Sequence, residues 1–394
     1  MFFKNSTPEQ PVILHHGVYK KTTSTTNAIF IITGMTIGAG VLGIPYVVAQ
    51  VGLKIGLTYI VVLGMVMLLL NLMIGEVAVR TKQPMHIPGF AGKYIGTWAK
   101  ELLSIIIIFS SYGALLAYVV GEGRTLSALF GGEPIWWSVF FWSIASAIVW
   151  RGLETAKVVE KIASIAVITL ISGLSIFIIK YFNLANWEFV DTAKFFLPYG
   201  VILFSLHAAP AIAEAHALLP RDSAKFKKAI FFGTLIPIIV YVLFALAVVG
   251  VTGINTTEVA TIGLGNKLGE GVLLVGNLFA SLAMFTGFVG LGIALKQTLV
   301  WDQKMKSTPA LFLVISVPLI LLLLGLNSFI SVLDLIGGLF ISIESIMVIM
   351  IYWLAKRKGD LDPGKFNLHN IWLLVIPVFL VFTFFTVYSI FRLF

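Results

Sequence analysis

The 394-residue sequence contains no cysteine and only 11% charged residues. Without cysteine, the chain forms neither a disulfide nor a thiolate metal site. An ordinary soluble domain has about 25% charged residues, so this shortage of charge excludes a soluble globular protein. Hydrophobic residues make up 59% of the sequence, and its mean hydropathy is +1.00. The composition therefore indicates an integral membrane protein in contact with the lipid bilayer.

Several functional motifs are also missing from the sequence. We find no glycine-rich phosphate cradle, no nucleophile–base constellation and no metal-ligand cluster, so we predict neither an enzyme nor a cofactor. In a soluble chain, a net charge of +9 would indicate a nucleic-acid partner. In a membrane protein the positions of the basic residues indicate its topology instead, so we predict no nucleic-acid partner. The first 25 or so residues are polar and do not resemble a signal peptide.

The apolar residues fall into eleven segments long enough to cross a bilayer, for which a helix needs about 20 residues. The connections between them are short, so no separate soluble domain is expected. These predicted spans, numbered one to eleven below, are 26–51, 54–79, 101–121, 134–150, 160–181, 195–219, 228–252, 269–295, 308–326, 329–355 and 370–392.

Lysine and arginine are concentrated in alternate connections between these spans. Cytoplasmic segments of membrane proteins carry an excess of both residues. If the N-terminal tail (1–25) lies in the cytoplasm, the cytoplasmic side holds 21 of the 27 basic residues, with at least three in every connection. We therefore predict a plasma (inner) membrane protein with a cytoplasmic N-terminus and an extracytoplasmic C-terminus. The outer side then holds only Lys54, Arg124, Lys180, Lys194, Lys267 and Arg392.

Span one is interrupted by the run from Thr33 to Pro45, in which four glycines and a proline occur within thirteen residues. Such a run fits an unbroken helix poorly, since each Gly costs about 1 kcal/mol relative to Ala. Freed N–H groups suit an anion and freed carbonyls suit a cation, so the break is a candidate solute site. The alternative is close helix packing, because small residues four apart, such as Thr36 and Gly40, are common at helix interfaces.

Span six is interrupted in a similar way, by Ser205, His207 and Pro210. Pro is tolerated in the first turn of a helix, so Pro210 is predicted to open a second half-helix. Span six comes five spans after span one. Because five is an odd number, a second copy of the same five-span unit enters the membrane in the opposite orientation. Paired interrupted segments in corresponding positions of two halves point to a transporter binding site. We predict inverted repeats at 26–181 and 195–355, and an extra helix at 370–392.

Three short motifs support a family resemblance. The sequence Ile37-Gly38-Ala39-Gly40-Val41-Leu42 resembles the first-helix glycine signature of the amino acid–polyamine–organocation superfamily. Its continuation to Tyr46 looks more like the amino acid/auxin permease and hydroxy/aromatic amino acid permease branches, for which eleven helices are usual. Ser111-Tyr112-Gly113, the stretch from Ser205 to Glu214 and Thr286-Gly287-Phe288 support the same branches.

The resemblance implies an all-α membrane fold of leucine-transporter type, with five-plus-five inverted repeats, broken helices one and six, and alternating access. It also implies an amino acid substrate. The carboxylate of that substrate would meet N–H groups around Gly38, Ala39 and Gly40, and its amine would meet carbonyls near Thr36, Ile37, Phe204 and Ser205. We also assign Tyr112, His207 and Thr286 to the substrate site.

Four acidic residues lie inside predicted spans, where each costs about 2.5–3.5 kcal/mol. Glu344 has no basic residue within a helix turn, so the neutral form of its carboxyl group is favoured. Glu344 is then expected either to carry a proton or to be a neutral glutamic acid that a neighbouring helix satisfies. Glu214 follows His207 by seven residues, too far for direct contact in a regular helix. Glu76 and Arg80 have the spacing of an ordinary surface pair, and Asp334 lies near the outer end of span ten.

Two coupling ions are possible on this evidence. In sodium-coupled relatives two adjacent hydroxyl residues of helix eight hold the ion, whereas here the pair is Thr286-Gly287. The missing oxygen ligand counts against sodium, and Glu344, Glu214 and His207 favour a proton. We therefore predict proton-coupled symport of a neutral amino acid with a large apolar or aromatic side chain, with no protein partner evident. The alternatives are sodium symport, with Thr286 as a ligand, or an amino-acid-sensing receptor subunit of the same fold.

Overall fold

The structure is a computed structural model that describes residues 25–83, 85–151, 153–219, 222–301, 303–369 and 371–393. Side chains at 153–164, 217, 218, 301 and 393 lie outside this description. Apart from residue 25, the predicted N-terminal tail therefore lies outside the described residues. So do Arg221 and the side chains of Lys157 and Lys161.

Most of the described chain is helical, and no strand occurs in it. Their bounds are α1 Thr25–Thr36, α2 Gly40–Val51, α3 Leu53–Arg80, α4 Ile87–Tyr94, α5 Thr97–Phe130, α6 Pro134–Arg151, α7 Leu153–Ile178, α8 Ala185–Glu188, α9 Pro198–Ser205, α10 Ala209–Leu218, α11 Ser223–Thr252, α12 Ala260–Leu268, α13 Glu270–Trp301, α14 Ser307–Leu323, α15 Phe329–Leu335, α16 Ser342–Lys358 and α17 Trp372–Leu393.

Every predicted span coincides with a helix or with a pair of helices. By length and hydropathy, six helical segments of the described chain are suited to cross a membrane, and the bent pair α1–α2 makes a seventh. The other four predicted spans are helical, but their crossing of the bilayer remains a prediction. The helix of span three, α5, continues beyond the predicted end at residue 121 to Phe130, and Glu122 is buried in the protein interior.

The helices pack in two groups. In the first group, α1, α3, α10 and α11 contact one another and α2 packs on α9, which unites spans one, two, six and seven. In the second group, α5 and α13 contact each other and α6, and both also contact α14. Helix α7 and span ten contact both groups. Spans five and ten therefore connect the two groups.

Span ten contains a π-helical turn, Ile336–Ile341, between α15 and α16. Such turns widen a helix locally and are frequent at functional sites. Gly337 faces α9 here, and a Cβ atom at this position would overlap the carbonyl oxygen of Gly200. The turn therefore lets span ten approach the first half of span six.

Glu76 is fully buried, so the interpretation of Glu76 and Arg80 as a surface pair is wrong, although the pair itself forms at 2.8 Å. The carboxylate also accepts hydrogen bonds from Tyr352 at 3.3 Å and from the Leu368 amide at 2.8 Å. Lys356 lies 3.6 Å away. A buried charge is tolerated when it is paired and hydrogen-bonded in this way. Glu76 thereby joins α3 and α16 to the connection before α17.

Candidate functional site

The first break lies between α1 and α2, whose axes are bent by 57°. The N–H of Gly38 folds back onto the Thr36 carbonyl at 3.0 Å, so this group is already bonded. In the described chain, the N–H groups of Ala39 and Gly40 donate to no backbone carbonyl. Unsatisfied donors at the start of a helix attract an anion such as a carboxylate. Ala39 and Gly40 are therefore the two backbone groups best placed for substrate recognition.

The second break separates α9, which ends at Ser205, from α10, which begins at Ala209. Pro210 occupies the first turn of α10, as its sequence position predicts. The chain between them is held by the His207 amide, which donates to the Phe204 carbonyl at 3.2 Å. His207 therefore lies in the break itself, at the N-terminal end of the second half-helix.

The two breaks touch each other through Gly40. A Cβ atom at this position would lie 2.5 Å from Ser205 Oγ and 2.9 Å from Ser205 Cα. Only glycine permits this approach, because real side chains do not make contacts that short. Phe204 borders the same position, 3.0 Å from the ideal Cβ.

Tyr241 of α11 fastens the two breaks together and was not predicted from sequence. Its hydroxyl lies 2.8 Å from the Thr36 carbonyl and 3.0 Å from the Ser205 carbonyl, and the residue is fully buried. One hydroxyl proton is thus shared between carbonyls that the resemblance assigned to the substrate amine. In this conformation, the protein itself engages the carbonyls of Thr36, Ser205 and Phe204, three of the four carbonyls predicted for the amine.

We expect Tyr241→Phe to lower Vmax/KM for substrate uptake roughly five- to 150-fold. The change leaves a buried carbonyl without a donor, which costs about 1–3 kcal/mol. Tyr94→Phe is the matched control, because Tyr94 is also buried but bonds Thr81 at 2.7 Å, far along the chain from both breaks. Unchanged uptake kinetics in Tyr241→Phe would show that the bridge has no role in transport.

The other predicted substrate residues are distributed unequally around the breaks. Tyr118 of α5 faces Gly38, with its hydroxyl 3.4 Å from an ideal Cβ there. Tyr112 is half-buried six residues earlier, so its side chain points about 120° away from Tyr118. Thr286 donates its hydroxyl to its own helix, at 2.8 Å from the Leu282 carbonyl. The structure therefore brings Tyr118 to the first break, and none of the described hydrogen bonds joins Tyr112 or Thr286 to it.

His207 and Glu344 form a direct pair, with Nε2 and Oε1 3.1 Å apart. Glu344 has no basic residue within a turn of its own helix, and its partner His207 comes instead from the break in span six. Glu344 is 3% exposed and His207 is half-buried. Glu214, the third candidate for proton coupling, is half-buried one helix turn or more beyond the break. The pair links span six to span ten.

A small cavity borders this pair between α3, α10 and α16. It is lined on one side by His207, Glu344 and Ser345 and on the other by Asn71 and apolar residues. Asn71 is fully buried and donates to Thr234 at 3.1 Å, while its Oδ1 has no partner in the described structure. The cavity is therefore bordered both by an unsatisfied acceptor and by the His207–Glu344 pair.

The remaining acidic residue predicted inside a span has a partner away from the two breaks. Asp334 of α15 bonds Arg392 of α17 at 2.9 Å, so it joins the extra helix to span ten. Within the described ranges, no three His, Asp or Glu side chains are grouped as metal ligands. Tyr241 and Asn71 escaped prediction because a lone polar residue in an apolar helix gives no sign of its partner.

Comparisons with known proteins agree with this geometry. A sequence profile of the tryptophan/tyrosine permease family matches residues 21–388. The chain is 23% identical over 357 residues to glutamine transporter 2 of Aliivibrio fischeri, covering 86% of this chain and 91% of that protein. It is 26% identical over 378 residues to tyrosine-specific transport system 2 of Haemophilus influenzae, covering 86% and 90%.

The fold is shared with a solved transporter. The crystal structure of MhsT in complex with L-phenylalanine matches with a TM-score of 0.65 at 16% identity, covering 93% of this chain and 100% of that chain. This match confirms the all-helical fold of leucine-transporter type. The family match fits the predicted hydroxy/aromatic amino acid permease branch and describes permeases rather than enzymes. The protein therefore belongs to the tryptophan/tyrosine permease family and is a multi-pass membrane transporter of amino acids.

Proposed function

We propose that this transporter is a proton-coupled symporter of a neutral amino acid with a large apolar or aromatic side chain. The observation that carries the proposal is the meeting of the two helix breaks. The unsatisfied N–H groups of Ala39 and Gly40 lie at the first break, and the His207–Glu344 pair starts at the second. One assembly therefore contains donors for a carboxylate and a group able to exchange a proton.

The side-chain preference rests on the aromatic residues beside the breaks. Tyr118 borders Gly38, and Phe204 borders Gly40. Aromatic rings supply large apolar surfaces that favour an apolar or aromatic side chain over a charged one. The two relatives bear the names of tyrosine and glutamine, so glutamine is the neutral substrate against which this preference must be tested.

Proton coupling is supported by the chemistry of the pair. Histidine changes its charge near neutral pH, and a carboxyl group in a membrane interior is favoured in its neutral form. The pair joins α16 of span ten to the second break, so a change in its protonation alters a contact between the moving parts. For sodium, Thr286 offers one hydroxyl, which already bonds its own helix.

Orientation and domain organisation complete the proposal. Residues of predicted cytoplasmic connections contact one another, as in the ion pair of Lys93 with Asp360, where the ammonium lowers the pKa of the Asp360 carboxyl. Residues of predicted outer connections do the same, as in Lys54 with Glu188. We infer an inner-membrane protein with its N-terminus inside, built from repeats at 26–181 and 195–355 plus the helix at 370–392. The group containing spans one and six would rock against the other.

The proposal is tested by uptake of radiolabelled Tyr, Phe, Trp, Leu, Ala, Gln and Glu into proteoliposomes. We expect accumulation of an aromatic or large apolar amino acid under a pH gradient alone, with no requirement for a sodium gradient. A sodium requirement would assign Thr286 and the break carbonyls to an ion site instead. Specific binding without accumulation under either gradient would favour an amino-acid sensor of the same fold.

A further inference from the structure

Glu122 is a buried acid of α5 that the proposed mechanism does not use. Its side chain is 3% exposed, and its Oε2 has no hydrogen-bond partner in the described part of the chain. Ser281, on α13, is a neighbour of this carboxyl. A buried carboxylate with so little compensation is strongly disfavoured.

The charged groups at this end of α5 are engaged with other partners. Arg124 bonds Glu258 at 2.5 Å and the Asn327 carbonyl at 2.9 Å. Lys267 of α12 bonds the Val251 carbonyl at 2.6 Å. On the side of α6, Gly123 faces the Ser138 hydroxyl, and on the side of α13, Asn277 is bonded to Thr261 at 2.8 Å. The carboxyl of Glu122 therefore has no described counter-charge.

Glu122 lies on the same face of α5 as Tyr118, which borders the first break. It follows Tyr118 by four residues, so both side chains lie on one face of α5, about 6 Å apart along the helix axis. Tyr118 faces Gly38 at the first break. A negative charge on Glu122 would repel a substrate carboxylate at Ala39 and Gly40, whereas a neutral Glu122 would not.

We propose that Glu122 is a second proton-binding site, separate from the His207–Glu344 pair, and that its protonation favours binding of the substrate carboxylate. This inference rests on the proposed function, because it assumes that the carboxylate binds at the first break. The extra proton is taken up from the predicted outer side, towards which this end of α5 points. The ligand is the proton itself.

The test is equilibrium binding of the radiolabelled substrate to purified protein between about pH 5 and pH 9, without any gradient. We expect the substrate affinity of the wild type to fall as the pH rises and Glu122 loses its proton. We expect the affinity of Glu122→Gln not to show this fall. Glu133→Gln is the matched control, because this acid is exposed eleven residues later at the same end of α5. Glu133→Gln is expected to keep the wild-type pH profile.

A wild-type pH profile in Glu122→Gln would overturn the inference, and so would a sodium dependence of binding that this variant removes. If Glu122→Gln does not fold, Ser281→Ala replaces it: loss of this hydroxyl must move the pH of half-maximal binding, and an unchanged profile overturns the proposal. Failure of the proposed function is seen separately, as a lack of proton-driven accumulation in wild-type proteoliposomes.

Discussion

Replacing Glu344 by Gln is expected to abolish proton-driven accumulation while substrate exchange continues. Gln has nearly the shape of Glu and still offers a partner to His207 Nε2, 3.1 Å from the native oxygen, but it cannot take up a proton. A pH difference of one unit supports about tenfold accumulation for each coupled proton. We expect this ratio to fall to about one in the variant, as measured by uptake into proteoliposomes under an imposed pH gradient.

The control for this experiment is Glu270→Gln, which changes an exposed acid at the start of α13 and is expected to leave accumulation unchanged. Counterflow of labelled substrate, which needs no net proton movement, distinguishes loss of coupling from loss of folding. Full accumulation by Glu344→Gln would remove this residue from the proton path. Glu214, His207 and Glu122 would then be the remaining candidates.

Replacing Gly40 by Ala is expected to lower substrate affinity roughly five- to 150-fold, whereas Gly38→Ala has a smaller effect. The added methyl group at Gly40 meets the backbone of Ser205 at 2.9 Å and forces the two breaks apart. Overpacking of this kind costs about 1–3 kcal/mol. At Gly38 the nearest atom is the Tyr118 hydroxyl at 3.4 Å, an ordinary contact. Equilibrium binding of labelled substrate measures both effects.

Gly271→Ala provides the control for these glycine variants, because no heavy atom lies within 4 Å of its added methyl group. It should bind as the wild type does. Equal affinities in Gly38→Ala and Gly40→Ala would contradict the assignment of the contact between the breaks. Substitution of Gly38 or Gly40 by Leu is expected to abolish binding, since neither position has room for a larger side chain beside Tyr118 or Ser205.

The breaks were predictable because their causes are local. Gly38, Gly40 and Pro210 disfavour a continuous helix through their own backbone chemistry, and the structure interrupts both spans at these residues. The apolar segments were predictable for the same kind of reason, since length and hydropathy are properties of a single stretch. The burial of Glu122 was not predicted, because Glu122 and Arg124 resemble the polar end of a span when the neighbouring helices are unknown.

Partners from distant segments were beyond prediction. His207 and Glu344 are 137 residues apart in sequence, and Tyr241 lies 205 residues from Thr36. Each of these polar residues needs a partner in an apolar interior, but many distant groups could supply one. Asn71 illustrates the point, because nothing near it in sequence indicates Thr234 or the cavity that its carbonyl oxygen borders.

The sequence by itself determined that this is a helical membrane protein with two interrupted spans, because those properties follow from composition and from the backbone preferences of Gly and Pro. Only the tertiary structure decided how the interruptions are used. It placed Gly40 against Ser205, set the Tyr241 hydroxyl between two freed carbonyls and paired Glu344 with His207. These choices depend on which helices become neighbours, and that is decided by packing across the whole chain rather than by any one segment.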